Sequence, residues 1–227
     1  MRILALETSD KTGAVAALCD TNLLAELMLD HRQRSAQSLA PAIQTLLKQV
    51  GWPPRNVQLV AVSVGPGSFT GLRVGVTTAK VFAYSVGADI LGIDTLEAIA
   101  TAAPAEAPVL WAAMDAQRDE VVVRCFGPAV AGRRPSIAPQ QLMPVDAWLA
   151  ALTPGVAVTG PVLQKLFDRL PSGVEVLDRR YWTAPAAAIG CLAARHYADG
   201  RRDDLMKLVP HYCRRSAAEE KWDARQQ

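Results

Sequence analysis

The chain has 227 residues, half of them hydrophobic and a fifth charged, a composition that supports a substantial core and excludes the high-charge, low-hydrophobicity profile of a disordered protein. Lys and Arg number 24 against 22 Asp and Glu, so the net charge of +2 is too small for a protein built mainly to neutralise nucleic-acid phosphates. No segment approaches the roughly 20 apolar residues of a membrane span, and the short run Ile3 to Leu6 is too brief for a signal-peptide core.

In chain order, apolar and alternating runs predict strands near 2–8, 13–19 and 23–29, separated by the polar turns "TSDKTG" and "CDTN". Leu39, Ile43, Leu46, Leu47 and Val50 then recur at helical spacing, and Gly51, Pro53 and Pro54 mark the stop. Pro41 falls inside this pattern, so the helix either begins close to it or bends there. The β-branched run "VQLVAVSV" at 57–64 predicts a buried strand, which the loop "GPGSFTG" delivers into a helix over about 72–86. The strand "ILGID" and a helix from Thr95 follow.

The segment "TAAPAEAP" at 101–108 has the composition of a joint, and beyond it the same order begins again. "VLWAAMDAQRDEVVVRCF" has the form of "ILALETSDKTGAVAAL", with Asp115 in the place of Glu7. A strand around 137–143, a helix at 144–151, the strand "VAVTG", a helix at 162–170, a strand at 174–177 and a helix at about 184–198 complete a second set. The chain thus reads as two βββαβαβ-type units of about a hundred residues, a duplicated α/β fold with a division at 1–104 and 105–227. Such a pair resembles the actin, hexokinase and Hsp70 (ASKHA) architecture, whose hairpin turns grip phosphate across a cleft. The last helix and tail are expected to return onto the first unit.

The loop at 65–71 lies where phosphate-binding loops lie, between a strand and a helix N-terminus. It lacks the Lys of a Walker A motif, and its third glycine comes one residue late for a dinucleotide fingerprint. The alternative is a turn whose glycines permit positive φ and close approach of backbone. Thr8, Ser9, Gly67 and Ser68 are the candidates for a phosphate or nucleotide contact. The second turn, "DAQRDE", places Gln117 and Arg118 where a phosphate grip wants small residues. His31, His196 and His211 show no i, i+4 pairing for a helical metal site. Ser68 reads as an N-cap or turn hydroxyl rather than a nucleophile, and Asp115 with Glu120 as structural acids of a hairpin. Cys19, Cys125, Cys191 and Cys213 show no C-x-x-C pair, which predicts reduced thiols in a cytoplasmic protein. The arginine pairs 133–134, 179–180, 201–202 and 214–215 are expected to be solvated surface.

Four stretches carry a family likeness: "RILALETS", "GPGSFTGLRVG" entering a helix, "GIDTLEAIA" and "AAMDAQRDEVVV", joined near the end by "VPHYCRR" with Pro210, Tyr212 and Arg214. Together they resemble the bacterial TsaB (YeaZ) family over most of residues 1–125. The resemblance implies a noncatalytic paralogue of TsaD, which transfers threonylcarbamoyl to N6 of the adenosine next to the anticodon in ANN-decoding tRNAs. It implies TsaD as heterodimer partner, TsaE completing the complex, TsaC supplying threonylcarbamoyl-adenylate, a homodimer when the chain is alone, tRNA met only through the complex, and no membrane. No intrinsic cofactor or metal is implied; ATP or ADP at the interface with TsaD is admitted.

In that family the first two helices pair with their counterparts, so Leu39, Ile43, Leu46, Leu47, Leu72, Arg73, Val76, Ala79, Lys80 and Ala83 become interface candidates. Gly65, Pro66, Gly67, Ser68, Phe69, Thr70 and Gly71 then form a scaffold that sets the start and angle of the second helix. Family members carry His followed by Ser or Thr ahead of the first-helix proline, where this chain has Ser35 and Ala36. The competing readings are an ATP-dependent enzyme of the same superfamily, a glycoprotease-like peptidase, and a direct tRNA binder.

Overall fold

A computed structural model describes residues 1–10, 12–30 and 35–214; the side chains of Ser35 and Ala36 lie outside the described set, as do His31 and Arg215. The difference at Ser35 and Ala36 therefore has no described side-chain contacts. The first half contains β1 (Arg2–Glu7), β2 (Ala14–Cys19), β3 (Asn22–Met28), α1 (Ser35–Gln49), β4 (Leu59–Gly65), α2 (Phe69–Val86), β5 (Asp89–Asp94) and α3 (Thr95–Ala102). The second contains β6 (Leu110–Gln117), β7 (Glu120–Phe126), β8 (Gln141–Pro144), α4 (Val145–Ala151), β9 (Ala157–Thr159), α5 (Leu163–Leu166), β10 (Glu175–Val176) and α6 (Ala186–Ala198). Pro41 lies inside α1 rather than at its start.

The sheets run β3-β2-β1-β4-β5 and β10-β9-β6-β7-β8, which is one strand order used twice. In each, the first strand of the half is antiparallel to its hairpin partner and parallel to the strand that returns after a helix. Both faces of β1 are covered, which is why it reads as a continuous apolar run. Ile3 and Ala5 face a core shared with Leu96 and Ile99 of α3, Ile189 of α6 and Leu110 and Ala112 of the second sheet. Leu4 and Leu6 face the opposite way, onto Leu39 and Leu46 of α1 and Val76 and Ala79 of α2. A third cluster covers the outer face of the second sheet, where Trp148 of α4 is fully buried against Val121, Val123 and Val158.

Helix α6 ties the halves together. A Cβ on Gly190 would overlap Leu18 of β2, so the helix lies as close to the first sheet as a glycine allows, and the Ala187 N–H donates to Glu26 of β3 at 3.0 Å. Beyond α6, residues 201–214 run back along the edge of the first half, at β5, β4 and α2.

Arg134 corrects the expectation of solvated arginine pairs. Its guanidinium is buried and donates to the carbonyls of Pro104, Ala107, Pro108 and Gly127 at 2.5–3.3 Å. The planar five-donor fork fits convergent carbonyls, so this side chain pins the 101–108 joint; burial pulls its pKa down from the usual arginine value. Arg134→Ala, which strands these acceptors, is expected to cost on the order of 2–3 kcal/mol, measured as a lower urea midpoint at unchanged m-value. An unchanged midpoint would mean that the joint holds without it.

Candidate functional site: the glycine loop and the α1–α2 face

The first hairpin turn fills the glycine loop from within. Ser9 and Thr8 are buried beneath the start of α2. The Ser68 N–H donates to the Ser9 carbonyl at 2.7 Å, and a Cβ on Gly67 would overlap Ser9. Gly71 and Gly75, on successive turns of α2, lie against Thr8: a methyl at Gly71 would overlap the Thr8 carbonyl oxygen, and one at Gly75 its hydroxyl. The glycines therefore let a helix and a hairpin approach closely. Ser68 caps α2, its Oγ accepting from Gly71 N at 3.3 Å. The helix consequently begins at Phe69, three residues before the sequence places it. Of the phosphate-contact candidates, the structure brings Thr8, Ser9, Gly67 and Ser68 together, with Thr8 and Ser9 enclosed and Gly67 and Ser68 at the surface.

Glu7 sits below this turn, buried, with Oε1 accepting from Ser9 N at 2.7 Å and Ser9 Oγ at 2.5 Å. Burial raises its pKa, opposed by the hydrogen bonds from Ser9 and Ser63. The folded carboxyl thus holds its proton more tightly than the unfolded one, and this group removes stability as pH rises from the unfolded pKa through the folded pKa. Glu7→Gln keeps an acceptor for Ser9 and removes the buried charge. Its Tm relative to wild type is expected to rise between pH 5 and pH 8; a difference that stays level or falls over that range would contradict this.

The second turn is differently built. Gln117, Arg118 and Asp119 take consecutive positive φ values of 67°, 53° and 57°, a conformation that side chains other than glycine resist. Asp115 receives the Gln117 N–H at 2.9 Å and is ion-paired with Lys165, whereas Glu120 pairs with Arg214 at 3.0 Å. The two acids thus serve separate contacts. Among the described residues no group of three or more His, Cys, Asp or Glu could hold a metal ion. His196 lies 3.4 Å from Glu97, and the His211 N–H is bonded to the backbone of β4. Burial pushes the Cys213 thiol up to about 11, so it is not a thiolate nucleophile at neutral pH.

The partner-facing candidates divide between the chain's own core, its C-terminal segment and, for Ile43 and Leu47, the lining of an outward groove. Leu39, Ile43, Leu46, Leu47, Leu72, Val76, Ala79 and Ala83 are all buried within the chain, because the most apolar stripe of each helix covers its own sheet. Arg73 and Lys80 hold the C-terminal segment: Arg73 Nε donates to Tyr212 Oη at 3.0 Å, and Lys80 Nζ to the carbonyls of Met206 and Leu208 at 3.0 and 3.1 Å. What α1 and α2 offer outward is a groove of about 830 Å³, with Pro41 and Leu47 on one wall, Val81 and Phe82 on the other and Trp52 at the end. Val81 is 65% exposed and Tyr84, on the next turn of α2, 79%. The signal for this second stripe is the run "KVFAY", where bulky residues continue around the helix after the core positions are filled.

Two sheets of identical strand order, with α3 and α6 packed between them, give the chain a fold of the actin, hexokinase and Hsp70 type. The activator of 2-hydroxyisocaproyl-CoA dehydratase from Clostridium difficile has the same fold, with a TM-score of 0.50 at 10% identity, over 90% of this chain and 99% of that one. Within the class, YeaZ from Pseudomonas aeruginosa superposes with a TM-score of 0.80 at 25% identity, over 93% of this chain and 99% of its own.

The family model of TsaD, tRNA N6-adenosine threonylcarbamoyltransferase, matches residues 29–175. The tRNA threonylcarbamoyladenosine biosynthesis protein TsaB of Bacillus subtilis is 28% identical over 98% of both chains. TsaB of Escherichia coli is 33% identical over 53% of each. The chain belongs to the TsaB (YeaZ) branch of the TsaD family. No described helix is long and apolar enough to cross a membrane, and the four cysteines are free.

Proposed function

We propose that the chain acts in tRNA threonylcarbamoyladenosine biosynthesis as a noncatalytic subunit that pairs with TsaD through the outer faces of α1 and α2. The family supports the process, through a relative named for it that matches along nearly the full length of the chain. The observation that carries the subunit role is the groove between α1 and α2. Apolar surface of this extent, presented by two neighbouring helices, is suited to bury a partner's helices.

Internal occupation of the first turn favours a scaffold over an ATP-consuming enzyme, since the Ser9 hydroxyl is spent on Glu7 and the Ser68 N–H on the Ser9 carbonyl. Any ATP or ADP contact on this side belongs to the surface residues Gly67 and Ser68 at the junction with TsaD, and tRNA meets the assembly rather than this chain alone. TsaE joins that assembly, and without TsaD the same face supports a homodimer. The test is titration of purified TsaD from the same organism into this chain, followed by calorimetry and sizing. A one-to-one complex supports the reading. Absence of any complex, or ATP turnover by the homogeneous chain alone, contradicts it.

A further inference from the structure

The segment after α6 is held along its length by bonds and packing against the first half. Arg201 donates to the Gly92 carbonyl at 2.7 Å, while Asp203 accepts the Gly92 N–H at 2.8 Å, so the segment is stapled across β5. Leu205 and Leu208 then pack against the core shared by α1, α2 and the first sheet. The His211 N–H donates to Val64, the penultimate residue of β4, at 2.6 Å. Gly65 follows with a φ of 122°, and a Cβ there would overlap the His211 carbonyl.

Tyr212 stacks on Phe69, the first residue of α2, with ring centroids 4.5 Å apart, and the Arg73 guanidinium lies 3.9 Å from the Phe69 centroid. Arg73 and Lys80 are seven residues apart, two turns along one side of α2, so the segment grips that helix at two levels. Its far end crosses to the second half, where Arg214 pairs with Glu120 at the start of β7 and Cys213 lies 3.7 Å from the Gln140 amide nitrogen.

We infer that residues 201–214 form a strap that fixes the position of α2 and so couples the second half of the chain to the α1–α2 docking face. One wall of the groove is α2, and the strap bonds that helix at its first turn and again near its middle. Seated, the strap holds α2 against the first sheet while its own ends are fixed to α6 and to the β6–β7 hairpin. The positioning residues are Arg73, Lys80, Asp203 and Tyr212, none of which lines the groove. The inference rests on the docking role proposed above only for its effect on TsaD affinity; its effect on α2 stands independently.

The experiment is hydrogen exchange on the full-length chain and on the double variant Asp203→Ala/Tyr212→Ala, with TsaD affinity measured on both. The strap account expects the His211 amide and the amides of α2 between Arg73 and Tyr84 to exchange about tenfold faster in the variant, those of β6 to be unchanged, and TsaD affinity to fall about tenfold. Faster exchange at His211 with α2 unchanged would overturn it, as would a His211 amide that keeps its wild-type protection. If the β6 amides also lose protection, Lys80→Met, which removes only the two bonds to strap carbonyls, replaces the double variant, with the same α2 result expected and the same contrary result decisive. If the wild-type chain does not bind TsaD at all, the docking role fails while the α2 exchange still decides the strap.

Discussion

Val81→Glu is expected to lower affinity for TsaD by at least about a hundredfold while leaving the melting temperature of the isolated chain within a degree or two. Val81 is 65% exposed on the outer wall of the groove, so the fold loses almost no buried area when it is replaced. On docking, the new carboxylate must leave water for an apolar surface without a designed partner, and a hundredfold loss corresponds to only about 2.7 kcal/mol. The contrasting variant is Leu46→Ala on α1. Leu46 is fully buried against the first sheet, and its truncation is expected to cost about 2–5 kcal/mol of stability. A loss of TsaD binding with Leu46→Ala but not with Val81→Glu would place the interface elsewhere.

The second large effect falls on the glycine loop. Gly71→Ala is expected to destabilise the chain by roughly 3 kcal/mol or more, since the added methyl meets the carbonyl oxygen of Thr8, a backbone atom that no rotamer change can move. Gly75→Ala meets the Thr8 side chain instead, at its hydroxyl. Thr8→Ala is therefore expected to rescue much of the Gly75→Ala loss and little of the Gly71→Ala loss, an asymmetry that a double-mutant cycle reads directly from denaturation midpoints. Equal rescue of both would mean that α2 and the hairpin meet differently from the arrangement described.

These two regions also show what the sequence made legible. The order of elements along both halves follows from the repeated pattern of apolar runs, and β1, β2 and β3 lie within a residue or so of their expected limits because each ends at a polar turn. The start of α2 was misplaced, since Phe69, Thr70 and Gly71 look like loop until Ser68 is seen to cap them. Of the interface candidates on α1 and α2, only Ile43 and Leu47 border the groove, for a simple reason. Periodicity reports the strongest apolar stripe, and in a helix lying on its own sheet that stripe faces inward; the second, weaker stripe through Val81 is the one left for a partner.

Long-range contacts of single polar or aromatic groups were not legible. Nothing in "GRRPS" distinguishes the solvated Arg133 from the buried Arg134, whose carbonyl partners include three residues of the 104–108 joint. Tyr212 was visible only as part of a closing pattern; its place against Phe69 and Arg73 depends on a chain reversal of some 140 residues.

The most direct test of the account is formation of threonylcarbamoyladenosine on an ANN-decoding tRNA by purified TsaC, TsaD and TsaE from the same organism, with and without this chain and with its Val81→Glu variant. The account predicts product with the wild-type chain, little without it, and little with the variant at matched concentrations. Equal product in all three mixtures would contradict it and return the chain to the superfamily enzymes as a candidate with an activity of its own.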